Sequence, residues 1–215
     1  MAKIRETIRM PVEFTAAEIA QKYDSIAFCY DRVERGAEFL LLNRLRREWF
    51  GRASGAVLEV AVGTGRNLKF YPAACQVTAI DVSQGMVDIA RRHAAQLKRP
   101  VDFQLMDASA LNFPDNHFDT VTSSLSTCTF PDPIVALREM GRVCKDDGRI
   151  LLLEHGRSSV RVMGRLQDRL ADWHARQVAC HWNRDPRQLV LQAGLRLVSD
   201  RTSVFGVVHV IEAAP

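Results

Sequence analysis

Val57-Leu58-Glu59-Val60-Ala61-Val62-Gly63-Thr64-Gly65 is an apolar run that breaks into a glycine-rich turn. Val77-Thr78-Ala79-Ile80 is a second apolar run, and it ends on a carboxylate, Asp81. The first reads as a buried strand that stops in a tight turn. The second reads as the next strand of a parallel sheet. A strand, a glycine turn, a helix and a strand closing on an acid form a βαβ unit suited to a nucleoside. The glycines let the backbone approach a ligand, and the acid can take both hydroxyls of a ribose.

The spacing of the glycines separates one nucleoside cofactor from another. A dinucleotide turn requires G-x-G-x-x-G. Counted from Ala61 the third glycine falls on Arg66, and counted from Gly63 it falls on Leu68. Neither frame fits a pyrophosphate cradle. What remains, E-x-A-x-G-x-G, resembles motif I of the class I S-adenosylmethionine (SAM)-dependent methyltransferases, with Ala61 where that family commonly has its first glycine. Taken alone, the same stretch also fits an ordinary strand and turn without a ligand.

Later stretches resemble the same family in the same order. Asp81-Val82-Ser83-Gln84-Gly85-Met86 is similar to its D-x-S-x-x-M segment, and Met106-Asp107-Ala108 to the D-A pair that contacts adenine. Phe113 to Asp119 resembles the entry to strand four. Arg138-Glu139-Met140-Gly141-Arg142-Val143-Cys144-Lys145-Asp146-Asp147-Gly148 resembles R-E-x-x-R-V-L-K-P-G-G, with Asp146-Asp147-Gly148 replacing the usual P-G-G turn. The match runs from about residue 20 to 155, and the subgroup it resembles is the ubiquinone/menaquinone-biosynthesis type (methyltransferase domain 11-like), near the thiol and phospholipid branches. The resemblance implies SAM as cofactor, held by Tyr23, Glu59, Ala61, Gly63, Gly65, Asn67, Asp81, Val82, Met86, Asp107, Ala108 and Ser124. It also implies a Rossmann-like, doubly wound seven-stranded α/β sheet with N-terminal helices and a helical insert after strand five.

Composition agrees with one domain over 1–215. The chain is 47% hydrophobic and 25% charged, typical of a globular protein. No apolar run approaches the roughly 20 residues of a membrane span, and Met1 to Met10 lack the apolar core of a signal peptide. Five cysteines without paired spacing argue for free thiols in a reducing, cytoplasmic setting. The absence of C-x-x-C speaks against a structural zinc site, so no metal is expected. A net charge of +4 is compatible with weak peripheral contact at an anionic membrane but is no nucleic-acid footprint.

Along the chain, 15–31 and 36–50 read as helices of an N-terminal cap (1–50), and Thr15-Ala16-Ala17-Glu18 has the form of a capping box. Tyr23-Asp24 and Tyr30-Asp31 resemble the Y-D-x-x-A-x-x-Y-D helix that folds over the cofactor in quinone-type relatives; a plain packing face is the other reading. Strands are expected at 56–61, 76–80, 101–105, 118–123 and 149–154, and helices at 65–71, 83–97 and 132–144. The insert at 156–187 carries Val162, Leu166, Leu170 and Trp173 on one stripe and Arg161, Arg165 and Arg169 on another. A short helix at 186–193 then leads to closing strands at 195–202 and 205–212.

Methyl transfer from a sulfonium is an in-line displacement, so a catalytic triad is not required. Candidates on the acceptor side are His155, at the end of strand five, Tyr30 on the cap, and His181 in the insert, read as a lid. Each also fits a packing or rim role. Cys128 reads as a small buried hydrophobe, and Arg44, Arg46 and Arg47 beside Trp49 and Phe50 read either as a solvated helix end or as a lipid-contacting patch. The expected acceptor is a small, lipophilic molecule, with a thiol favoured. The alternatives are a phospholipid amine at a membrane surface and a SAM-binding protein without turnover. Oligomeric state is not legible.

Overall fold

The computed structural model describes residues 13–37 and 42–215, with the side chains of 29–37 outside the description. In chain order the elements are α1 (Ala16–Ala37), α2 (Asn43–Phe50), β1 (Ala56–Val60), β2 (Gln76–Asp81), α3 (Gln84–Gln96), β3 (Val101–Leu105) and β4 (Phe118–Ser124). There follow α4 (Pro133–Val143), β5 (Cys144–His155), α5 (Arg161–Val178), α6 (Pro186–Gln192), β6 (Arg196–Ser203) and β7 (Val208–Ala214). The strands form one seven-stranded sheet in the order β3-β2-β1-β4-β5-β7-β6. Strands β1 to β5 run parallel, and β7 lies antiparallel between β5 and β6. The order reverses between β1 and β4, and a crevice at the carboxyl ends of the strands opens at such a switch point.

Alternate residues of each inner strand feed opposite cores. Leu58, Val60, Ile80, Val121, Ile150 and Leu152 pack with Leu137 and Met140 of α4. Val57, Val77, Ala79, Leu151 and Leu153 pack with Trp49 and Phe50 of α2 and with Ala90 and Ala94 of α3. Truncating a fully buried leucine such as Leu58 to alanine costs about 2–5 kcal/mol.

The helix starts follow their caps. The Thr15 N–H donates to the Glu18 carboxylate at 2.8 Å and the Glu18 N–H returns to Thr15 Oγ1 at 3.2 Å, the capping box read from the sequence. Ser83 caps α3 through the Met86 N–H, and Asp132 caps α4 through Ile134 and Val135. Asp24 of α1 accepts the Ser83 hydroxyl at 2.5 Å and the Gly85 N–H at 2.8 Å, so the cap docks on the N-terminus of α3.

Two expectations need correction. Residues 65–71 form successive tight turns instead of a helix, with i to i−3 bonds from Gly65 to Val62, Leu68 to Gly65 and Phe70 to Asn67. The Asn67 side chain is drawn inward to β1 and β4, and Pro72 ends the segment before an α-helical turn can repeat. Arg46, Trp49 and Phe50 are buried, so they form no lipid patch; Trp49 instead stacks under Arg52 and Arg201. The apolar stripe of α5 points outward: Val162 is 76% exposed, Leu166 56% and Trp173 61%.

Candidate functional site

A cleft of about 920 Å³, counting its solvent-open part, lies at the carboxyl ends of β1, β2 and β4. Its floor is the turn after β1, from Ala61 to Thr64, with Asn67. One wall is Asp81, Val82 and Met86 at the start of α3, and another is Met106, Asp107 and Ala108 after β3. Ser124, Leu125, Ser126, Thr129, Phe130 and Pro131 close the β4 side, and Ala16, Ile19 and Tyr23 of α1 close the top.

The turn after β1 is held in left-handed backbone at both Ala61 (φ 55°) and Gly63 (φ 54°). A Cβ on Gly63 would meet nothing within 4 Å, so the backbone there faces open space. Gly65 does a different job: its Cβ would strike Leu68 at 2.8 Å and Ala90 at 3.2 Å, so it lets α3 pack against the turn. Of the residues implied for the cofactor, Gly65 and Glu59 stand behind the lining, and the other ten line the cleft.

Glu59 is 1% exposed and accepts the Asn67 amide at 2.7 Å. Burial pushes its carboxyl up to about 7, against that hydrogen bond. Asn67 also donates to Ser124 Oγ at 3.0 Å, and the buried guanidinium of Arg46 bonds both Asn67 Oδ1 and Ser124 Oγ. Arg46 thus ties α2, the β1 turn and the end of β4 together, a role the sequence reading missed. Asp81 accepts backbone N–H groups of Gly63 and Ser83, and its pKa is raised by burial against those bonds. Asp107 accepts the Ser109 N–H at 2.8 Å, which shapes the turn that carries Ala108.

On the β4 side, Glu154 is fully buried and accepts the N–H groups of Ser126 at 3.0 Å and Thr127 at 3.3 Å. Burial raises its pKa to about 7, opposed by the neighbouring His155. His155 and His181 lie outside the cleft lining. His155 Nε2 sits 3.4 Å from Cys180 Sγ, and the His181 N–H donates to the Cys128 carbonyl at 2.9 Å. Tyr30 is on α1, but its side chain is outside the described residues.

The geometry is that of a nucleoside cleft without a pyrophosphate loop. A model of the methyltransferase domain matches residues 58–152. The phosphatidylethanolamine N-methyltransferase of Cereibacter sphaeroides is 34% identical over 146 residues, which span 64% of this chain and 72% of that protein. The chain belongs to the class I SAM-dependent methyltransferases. The UbiE ubiquinone/menaquinone biosynthesis C-methyltransferase of Pseudomonas fluorescens is 32% identical over 74% of this methyltransferase and 66% of its own length. The mitochondrial methyltransferase OMS1 of Saccharomyces cerevisiae is 29% identical over 92% of this chain, which spans only 46% of the yeast protein. Among solved structures, the [4+2]-cyclase SpnF superposes with a TM-score of 0.70 at 25% identity, covering 89% of this chain and 76% of that one.

The residues of the cleft fit SAM. The acid at the end of β2 stands beside a glycine turn whose backbone is open to the cleft. Among the described residues no helix is long and apolar enough to cross a membrane.

Proposed function

We propose that this methyltransferase transfers the methyl group of SAM to a heteroatom of a small, lipophilic acceptor, with thiols favoured over amines and phenols. The observation that carries the reading is the cleft lining. Among the described residues its titratable side chains are Tyr23, Arg46, Arg66, Asp81 and Asp107, with no histidine or lysine. Both aspartates already accept backbone N–H groups. A site without a neutral-pH base suits a nucleophile that ionises unaided. Thiols do so near 8.5, whereas phenols need about 10 and alkyl amines are protonated up to about 10.4. Ile19, Leu125, Phe130 and Pro131 give the acceptor side an apolar surface.

Bound SAM supplies an electrophilic methyl on a good leaving group. In this reading Asp81 takes the ribose hydroxyls, Asp107 and Ala108 border the adenine, and Tyr23 with the Ser124–Ser126 segment excludes water from the acceptor. Alignment within about 3–3.5 Å contributes much of the rate. A pH–rate series with thiols of different acidity tests this: kcat/KM follows the thiolate fraction of each thiol. One fixed enzyme pKa shared by all acceptors would instead reveal a side-chain base.

A second reading is favoured by α5. Its exposed Val162, Leu166, Leu170 and Trp173 run beside Arg161, Arg165 and Arg169, an arrangement that suits shallow burial at an anionic membrane. A phospholipid amine would then be the acceptor. SpnF, described as a cyclase, has the same fold, so fold alone does not fix turnover. A SAM-binding protein without turnover would give no S-adenosylhomocysteine with any acceptor.

A further inference from the structure

Among the described residues outside the cofactor cleft, Cys128, His155 and Cys180 form a reactive cluster. We propose that these three side chains bind a zinc ion, or another d-block ion of similar borderline softness. Their ligand atoms all lie within 4.8 Å of one another. The Cys180 Sγ to His155 Nε2 distance is 3.4 Å. Two ligands of one tetrahedral zinc, at Zn–S about 2.3 Å and Zn–N about 2.0–2.1 Å, stand ~3.5 Å apart. The donors come from the loop after β4, the end of β5 and the turn after α5, so the fold assembles them and no local spacing announces them. Two thiols with one imidazole match zinc and exclude calcium or magnesium, which take oxygen ligands.

The surroundings hold the donors in place, as the outer layer of a metal site does. His174 Nδ1 is 2.9 Å from the Cys180 carbonyl, and its ring stacks on Trp182 with centroids 4.2 Å apart. The His181 N–H fixes the Cys128 carbonyl, and the Arg184 guanidinium donates to the carbonyls of Thr127 and Phe130. Cys128 and Cys180 are 1% and 8% exposed, while half-buried His155 leaves an approach from solvent. Binding would replace each remaining thiol proton, released to solvent, with a metal–sulfur bond. Three protein ligands leave one position for water or an added ligand. A Cys128–Cys180 disulfide is the rival, but it requires a two-electron oxidant and gives the imidazole no part; the two cysteines are free thiols here. The proposal sets aside the expectation of no metal, which rested on the missing C-x-x-C, and it does not depend on the acceptor.

Elemental analysis of the full chain, purified without chelator, is expected to find one zinc per molecule. Chelator competition with zinc alone then gives the affinity. Substituted cobalt should show thiolate-to-metal charge-transfer absorption. Cys128→Ser, Cys180→Ser and His155→Ala should each weaken zinc at least ~100-fold, the upper end of what outer-layer partners cost. Cys144→Ser, a buried cysteine elsewhere, should not. Far-ultraviolet circular dichroism identifies any variant that fails to fold, and cobalt absorption on the wild-type chain reports the site without any variant. Metal-free protein that takes up no cobalt, unchanged affinity in all three folded variants, or a Cys128–Cys180 disulfide in the purified chain would overturn the proposal.

Discussion

Asp81 accepts the Gly63 N–H at 2.8 Å through Oδ2 and the Ser83 N–H at 3.0 Å through Oδ1. One carboxylate therefore straps the turn after β1 to the start of α3, and in the proposed reading it also takes the ribose hydroxyls. Asp81→Ala should weaken SAM at least tenfold, about 1.4 kcal/mol, and should also lower the melting temperature because two backbone donors lose their acceptor. Calorimetry and thermal melts on the same protein check both. Unchanged affinity with reduced stability would leave the carboxylate only its strap.

Ala61 occupies left-handed backbone, with φ 55°. For an L residue this costs about 1 kcal/mol, which glycine avoids. Ala61→Gly is expected to raise the urea midpoint by a corresponding amount while SAM affinity stays within a factor of about three. A loss of stability would mean that the alanine methyl packs more usefully than its backbone strains.

Glu59 has a folded pKa raised to about 7, above the unfolded value of about 4.3. The folded state binds this proton more tightly. Its contribution is therefore present at low pH and is lost as pH rises between those two values. Glu59→Gln, which keeps an oxygen to accept from Asn67, should gain stability relative to wild type on going from pH 5 to pH 8. Denaturant titrations at both pH values provide the comparison, and an equal difference at the two would contradict the assignment.

Leu166 and Trp173 project from α5, 56% and 61% exposed. If this face meets a membrane, Leu166→Glu with Trp173→Glu should reduce binding to anionic vesicles at least tenfold with no change in melting temperature. Equal vesicle binding by variant and wild type would remove α5 from that role.

The βαβ unit was legible because Gly63 and Asp81 announce themselves locally: one needs an unusual backbone angle and the other ends a buried strand. Ten of the twelve cofactor positions implied by resemblance line one cleft for the same reason. Arg46 was not legible, since its value depends on α2 carrying it across the sheet to Asn67 and Ser124. The stripe on α5 has helical periodicity, but periodicity does not say which side of a helix meets protein. His155 and Cys180 are far apart in sequence and meet only after β5 and the insert have folded.

The most direct measurement is an acceptor screen with methyl-labelled SAM across lipophilic thiols, amines, phenols and phosphatidylethanolamine vesicles. The thiol assignment predicts label on thiol sulfur, with S-adenosylhomocysteine formed in equal amount. Label found only on amines or phospholipid, or no S-adenosylhomocysteine with any acceptor despite SAM binding, would contradict it.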